Sequence, residues 1–266
     1  MLRNTMMWRK LRHKLALRVG ARENSTFTGF LRLPTQFEAL AGPVTAPLVT
    51  RSGRTAPMAV TVMGCSNGAE AFTIASILKR RYPDLQFRVR GFDIDSEIIR
   101  KATSARYLRE EIYNNQIITE DFVQSTFNRD GDTYVVKPEI AELVEFGSGN
   151  VLDRDLAARV VGSDVVFAQN FLFHLTPAMA RRALENILLM AKPGAALFID
   201  GTDLDLRQRF VRRRGLVPLD FEIEQIHNEA RRARAVGWPY SYWGLEPFLT
   251  YRRDWRRRYA TIFLLP

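Results

Sequence analysis

Cysteine and histidine are scarce in this 266-residue chain, which has one cysteine, Cys65, and three histidines. A single cysteine excludes an intrachain disulfide and, with it, a cysteine-based metal cluster. His13 and His227 lie among arginines, and no metal site is expected. Long apolar runs are also missing. No stretch approaches the roughly 18 uncharged apolar residues of a membrane-spanning helix, and arginines and lysines interrupt the first twenty residues too often for a secretory signal. These absences point to a reducing, cytoplasmic setting without a membrane span. Acidic residues fall short of basic ones, 29 against 39, a net charge of +10. The shortfall sits at the ends. Residues 1–22 carry seven basic side chains and no acidic one, residues 207–258 carry thirteen against six, and the rest has 19 against 23. Such flanks suit nucleic acid, an anionic membrane surface or an acidic protein, or form a solvated arginine face. What is present is ordinary globular composition, 46% hydrophobic and 26% charged, in a length that suits one large domain with appendages.

The first segment spaces Trp8, Leu11, Leu15 and Val19 by three and four, the apolar stripe of a basic amphipathic helix. That helix either docks on the main domain or, being Arg-rich and acid-free, resembles an organelle transit peptide. Residues 25–40 mix turn formers with a short helix opened by Pro34 and carrying Phe37 and Leu40. A connector over 42–57, rich in Pro, Gly and Thr, reads as the boundary before the main domain. From Ala59 the pattern is strand AVTVMG, a glycine turn, helix EAFTIASILKRRYP and strand FRVRGFD, a βαβ unit. Helices follow over 96–105 and within 107–126. Around the Gly131-Asp132 turn, DTYVVK and LVEFG read as a small antiparallel insertion over about 127–148. Strand DVVFAQN, capped helix TPAMARRALENILLMAK and strand AALFID come next, and RRYATIFLL near the end reads as a last strand. Alternating strands and helices predict a parallel α/β sheet with helices on both faces. There is no internal repeat.

The turn Gly64-Cys65-Ser66-Asn67-Gly68 lets the backbone pass close to a ligand and present amides from a helix N-terminus. Asp93 ends the next strand, where an acid faces the ribose hydroxyls of a bound nucleoside. Ser66 stands in place of the close-approach glycine of dinucleotide sites, which disfavours a pyrophosphate and suits a nucleoside with an amino-acid tail, S-adenosylmethionine. Asp93 is also a possible cap of the following helix, although Asp95 is the better candidate. Asn150 has an alternative as a turn residue and Cys65 as a small packing residue.

The stretch GCSNGAEAFTIASIL followed by GFDID closely resembles the GCSTGEEPYSIA and TDID motifs of the CheR family, the chemotaxis-receptor protein-glutamate methyltransferases. GNVLD (149–153) resembles the family's NLLD segment, FAQNFLFHL (167–175) its FCRNVLIYF, LLMAKPGAALFIDGTD its LKPGGYLFLGHSE, and TFTGFLRLPTQFEAL its NxTxFFRxxxxFxxL. These matches keep their order over about residues 26–205. The resemblance implies a Rossmann-like class I methyltransferase domain over 58–266 that uses S-adenosylmethionine and releases S-adenosylhomocysteine. Residues 1–57 form a basic helix and linker carrying the Arg32 motif. Position by position, Gly64, Cys65 and Gly68 are implied to form the loop under the cofactor's methionine part. Glu70 and Arg32 bind its amino and carboxylate ends, Asp93 the ribose, and Asn150 and Val151 flank the adenine. Asn170 lies by the sulfonium with Gln169 beside it, and Thr28 also touches the cofactor.

Three departures from the family concern the methyl acceptor. The family's long helical N-terminal domain is reduced to some twenty basic residues, its arginine before the asparagine is Gln169, and the tyrosine of its IYF segment is His174. A carboxylate acceptor is ionised at neutral pH and needs no base, so Arg32 either orients it or binds the cofactor carboxylate. A hydroxyl or amine must lose a proton, and His174, with an ordinary pKa near ~6.5, is the natural base. His174 also has a structural alternative, bonded to a backbone carbonyl. Base-amine methylases carry a (D/N)PP(Y/F/W) segment where this chain has Gln169-Asn170-Phe171-Leu172, so RNA or DNA is not favoured as acceptor, although the basic flanks leave RNA open. A basic aromatic segment over about 206–258 includes Trp238, Tyr240, Tyr242, Trp243 and Trp255. It forms either an acceptor wall or a packed lid or dimer contact. The leading expectation is therefore methylation of a carboxylate, a protein glutamate by resemblance. Alternatives are a small-molecule O- or N-methyltransferase using His174 and a cofactor-binding regulatory protein.

Overall fold

The computed structural model of the chain describes residues 28–50, 56–114, 117–232 and 246–266. The apolar stripe from Trp8 to Val19, His13, Trp238, Tyr240, Tyr242 and Trp243 lie outside the described residues.

Seven strands form the main sheet: β1 (Met58–Met63), β2 (Phe87–Asp93), β6 (Val144–Ser148), β7 (Ser163–Gln169), β8 (Ala191–Asp200), β9 (Val217–Pro218) and β10 (Ile262–Leu264), in the order β6-β2-β1-β7-β8-β10-β9. All neighbours are parallel except β10, which runs antiparallel to both β8 and β9. The sheet is Rossmann-like, and its central strands are buried on both faces, which is why β1 reads as an almost continuous apolar run. Period-two geometry then sorts each strand. Val60, Val62, Val165, Phe167, Ala196, Phe198 and Ile262 join one core, while Met63, Val166, Ala168, Leu197, Ile199 and Phe263 join the other.

Helices cover both faces. On the first, α2 (Ala69–Arg81) buries Phe72, Ile74, Ala75 and Leu78, alongside α1 (Pro34–Ala39) and α3 (Ser96–Ser104). On the second, α4 (Arg154–Arg159), α5 (Pro177–Met190), α6 (Leu204–Arg213) and α8 (Trp255–Tyr259) surround the other core. The stripe of α5 is Ala180, Ala183, Leu184, Ile187 and Met190, the three-and-four spacing of a one-sided helix. Thr176 accepts from Met179 N and Pro177 fills the first position, which fixes where α5 starts. The last long helix is α7 (Ile223–Arg232). No helix among the described residues is long and apolar enough to cross a membrane.

Two expectations are corrected. LVEFG is not the partner of DTYVVK, because Val144–Ser148 is β6 of the main sheet, parallel to β2 with Gly91 opposite Phe146. The reason is steric: a Cβ on Gly91 would lie 2.8 Å from the Phe146 ring and one on Gly68 2.7 Å from it, so the two glycines make the space this ring fills. The antiparallel insertion is instead β3 (Arg106–Leu108), β4 (Phe127–Asp130) and β5 (Thr133–Val136), with Gly131 at φ +61° in the β4–β5 turn. The boundary at Pro57 is one of composition and not of packing. Phe30, Phe37, Leu40 and Val44 are buried in the same core as β1 and α2.

Candidate functional site

Strand order reverses between β1 and β7, and the C-terminal ends of β1, β2, β6 and β7 meet there, the place where open α/β sheets hold ligands. A cavity of about 330 Å3 opens at this edge, in the size range of cofactor sites.

The loop after β1 folds over the end of β2, since Gly64 N and Cys65 N both donate to Phe92 O at 2.8 and 3.1 Å. Gly64 has φ +70°, and a Cβ there would sit 2.7 Å from the Phe171 ring. Ser66 N donates to Asp93 Oδ2 at 2.9 Å and Asp95 N to Asp93 Oδ1 at 3.1 Å, so two backbone amides fix that carboxylate at the cavity mouth. Asp95, not Asp93, caps α3, accepting from Glu97 N at 2.8 Å. The hydroxyl of Ser66, also on the cavity wall, is buried without a hydrogen-bond partner among the described residues. A closely approached backbone, an oriented carboxylate and an orphaned hydroxyl are what a polar nucleoside ligand would meet.

Gly64, Cys65, Glu70, Asp93, Asn150 and Val151 all line the cavity; Gly68 does not, and opens α2 instead at φ +86°. Burial pushes the Glu70 carboxyl up to about 7, with the charge of Asp200 adding to the rise and the Arg32 guanidinium opposing it. Burial also raises the Cys65 thiol well above its usual range, helped by Asp93, so this is a packed and unreactive thiol. Asn150 is a turn residue as well as a lining one: its Oδ1 accepts from Leu152 N at 2.9 Å.

Thr28, Arg32, Gln169, Asn170 and His174 line the same cavity. Asn170 sits at φ +57°, N–H on Asp200 O at 3.0 Å, against Gly201, where a Cβ would come within 2.6 Å of the Asn170 Cα. Asparagine tolerates this left-handed conformation better than most residues. Gln169 is buried and its Nε2 donates to Gln36 Oε1. His174 ends a short turn (Leu172–His174), its N–H on Phe171 O at 2.9 Å and its ring 4.0 Å from that of Phe173.

Several contributors carried no local signal. Tyr107, fully buried, donates to Asn67 O at 2.6 Å and so braces the loop from the antiparallel insertion. Phe171 joins Phe37, already marked by the helical pattern after Pro34, in giving the cavity apolar walls. Gln36 is buried, and nothing in its spacing marks it. Of the aromatic acceptor-wall set, Trp255 is the described member; it packs 5.6 Å from Phe248 and does not line this cavity. His227 is buried with its Nε2 on Glu246 O at 2.7 Å, and burial pushes its pKa down to about 4, so it is a neutral packing residue.

Comparison with known proteins adds the following. A family model described as CheR methyltransferase, SAM binding domain, matches residues 26–209. A Rhodobacter capsulatus protein named "Uncharacterized 104.1 kDa protein in hypE 3'region" is 29% identical over 182 residues, 66% of this chain and 18% of that protein. "Chemotaxis protein methyltransferase 2" of Vibrio cholerae is 27% identical over 178 residues, 65% of this chain and 60% of that one. The chain thus spans less than two thirds of the length of either relative. Among solved structures, S-adenosylmethionine-bound CalS10, an amino pentose methyltransferase from Micromonospora echinaspora, aligns at 17% identity and TM-score 0.37, covering 71% of this chain and 55% of that one.

Proposed function

The chain belongs to the CheR methyltransferase family, and on that premise we propose that it transfers a methyl group from S-adenosylmethionine to a carboxylate, a protein glutamate side chain. The observation that carries the reading is the convergence of the loop at Gly64–Ser66, the amide-fixed Asp93 and the half-buried Glu70 on one cavity at the strand switch. When bound, the cofactor supplies an electrophilic methyl on a sulfonium. Asp93, already held by Ser66 N and Asp95 N, keeps lone pairs for the ribose hydroxyls. Glu70 faces the α-ammonium and Arg32 the carboxylate of the methionine part, a charge-matched pair. Asn150 and Val151 flank the adenine, and Thr28, Gln169 and Asn170 close the sulfonium end. Phe37, Phe171, Leu175 and Met63 keep water from the transfer end, which in-line displacement requires.

The name of the Vibrio cholerae relative, a chemotaxis protein methyltransferase, supports a protein acceptor, and a carboxylate needs no base. A second reading is favoured by one placement. His174 lines the cavity where the family tyrosine would stand, and there it would serve as base toward a small hydroxyl or amine acceptor. In either case we place the protein in the cytoplasm, with nucleic acid disfavoured as acceptor. Calorimetric titration with S-adenosylmethionine and S-adenosylhomocysteine tests the premise: micromolar binding is expected, and no binding of either overturns it. Methanol release on mild base treatment of a labelled acceptor identifies an ester; a base-stable methyl group would replace the carboxylate reading by the second.

A further inference from the structure

Arg32 follows a strained residue. Leu31 lies at φ +50°, a conformation unfavourable for a branched side chain, and such a turn persists only where the flanking chain is firmly held. Its own N–H reaches Thr73 Oγ1 at a long 3.4 Å. The firmer hold comes from the other end of the protein. Leu33 gives α1 no side-chain cap. Instead, the Glu229 carboxylate on α7 accepts the Thr35 hydroxyl and, at 3.3 Å, the Thr35 N–H, 194 positions away in sequence. Gln225 Nε2 donates to the same hydroxyl at 2.7 Å. Thr35 is 1% and Glu229 9% exposed, so removing either partner strands buried polar groups. The next residue, Gln36, accepts from Gln169 and donates to Thr261 Oγ1 at 2.7 Å, and Phe37 stacks on Phe167 at 6.5 Å.

We propose that Glu229 is a positioning residue for the cofactor site: by pinning Thr35 it holds the strained turn that presents Arg32 to the cavity beside Glu70. Glu229 does not itself line the cavity, so it acts through Thr35 and Arg32. The inference rests on the reading of Arg32 as the partner of the cofactor's carboxylate.

S-adenosylhomocysteine is the probe, since it carries that carboxylate and needs no acceptor. The full chain is titrated as wild type, Glu229→Ala, Glu229→Gln, Arg32→Ala and the Arg32→Ala/Glu229→Ala double variant, with thermal melts in parallel. Glu229→Ala is expected to weaken binding about tenfold. Glu229→Gln, which keeps an oxygen for the Thr35 hydroxyl, recovers most of that loss. In the Arg32→Ala background the Glu229 substitution adds no further loss, because its effect passes through Arg32. Wild-type affinity in a folded Glu229→Ala protein, or a full additional loss in the double variant, overturns the positioning role. Absence of binding by the wild type overturns the cofactor reading itself, a separate failure. Should Glu229→Ala not fold, Thr35→Val removes the pinned hydroxyl alone, with the same weakening expected and unchanged affinity again overturning the role.

Discussion

The two ends of the cavity are built differently. The end we assign to the nucleoside is backbone: Gly64 at a positive φ, amides of Ser66 and Asp95 on the Asp93 carboxylate, and a turn closed by Asn150, all within a few residues of strand ends. The end we assign to methyl transfer is side chain, with Gln169 held by Gln36 and Asn170 wedged against Gly201. A site made from strand ends inherits the precision of the sheet. One made from side chains depends on whichever distant residues hold them. The chain departs from its family at this second end, at Gln169 and His174.

Breaking the backbone end should have the largest effect. Gly64→Ala puts a Cβ into the Phe171 ring and forces a left-handed alanine. A loss of about 2 to 4 kcal/mol in stability, together with cofactor binding, is expected in melts and titration; a wild-type melt with normal binding would show that the close approach is not needed. Asp93→Ala strands two backbone amides as well as the ribose and should weaken cofactor binding by roughly 1.5 to 3 kcal/mol, so unchanged affinity removes the ribose assignment. The third measurement sharpens the comparison through pH. Glu70 binds its proton more tightly folded than unfolded, with a pKa near 7. In the free protein its contribution to stability is therefore present at low pH and is lost as pH rises through about 7. Binding of the cofactor ammonium favours the ionised form, so affinity should fall as pH drops below 7, by up to about tenfold per unit. A flat profile between pH 5.5 and 8 would remove Glu70 from the ammonium. Smallest of all should be His174→Phe, which leaves cofactor affinity within about 0.5 kcal/mol, since no cofactor charge is assigned to it. A loss above 1 kcal/mol in titration would move His174 from the acceptor to the cofactor end.

The backbone end was also the legible one. A strand, a glycine turn, a helix and an acid at the next strand end are local patterns, and Gly64, Glu70 and Asp93 converge as their order in the chain implied. Gly68 also serves a purpose that its spacing does not show: the ring of Phe146 takes the room a Cβ would need. β6 was misjudged because five residues containing valine and phenylalanine suit either sheet; what decides is the gap left by Gly91, which is not local. Tyr107, Gln36 and Glu229 were beyond reach for the same reason. Each works through a partner 40 or more positions away, and a lone polar or aromatic residue does not announce its partner.

The bond between Gln36 and Thr261 joins positions 225 apart, just ahead of the strand that slots between β8 and β9. The bond that braces Gln36, and through it Gln169, therefore needs a residue next to β10, whereas β1, β2 and the loop between β1 and α2 lie within residues 58–93. Closing so long a loop costs more chain entropy than the local contacts of the loop after β1, so the Gln36 wall is expected to form later in folding than that loop.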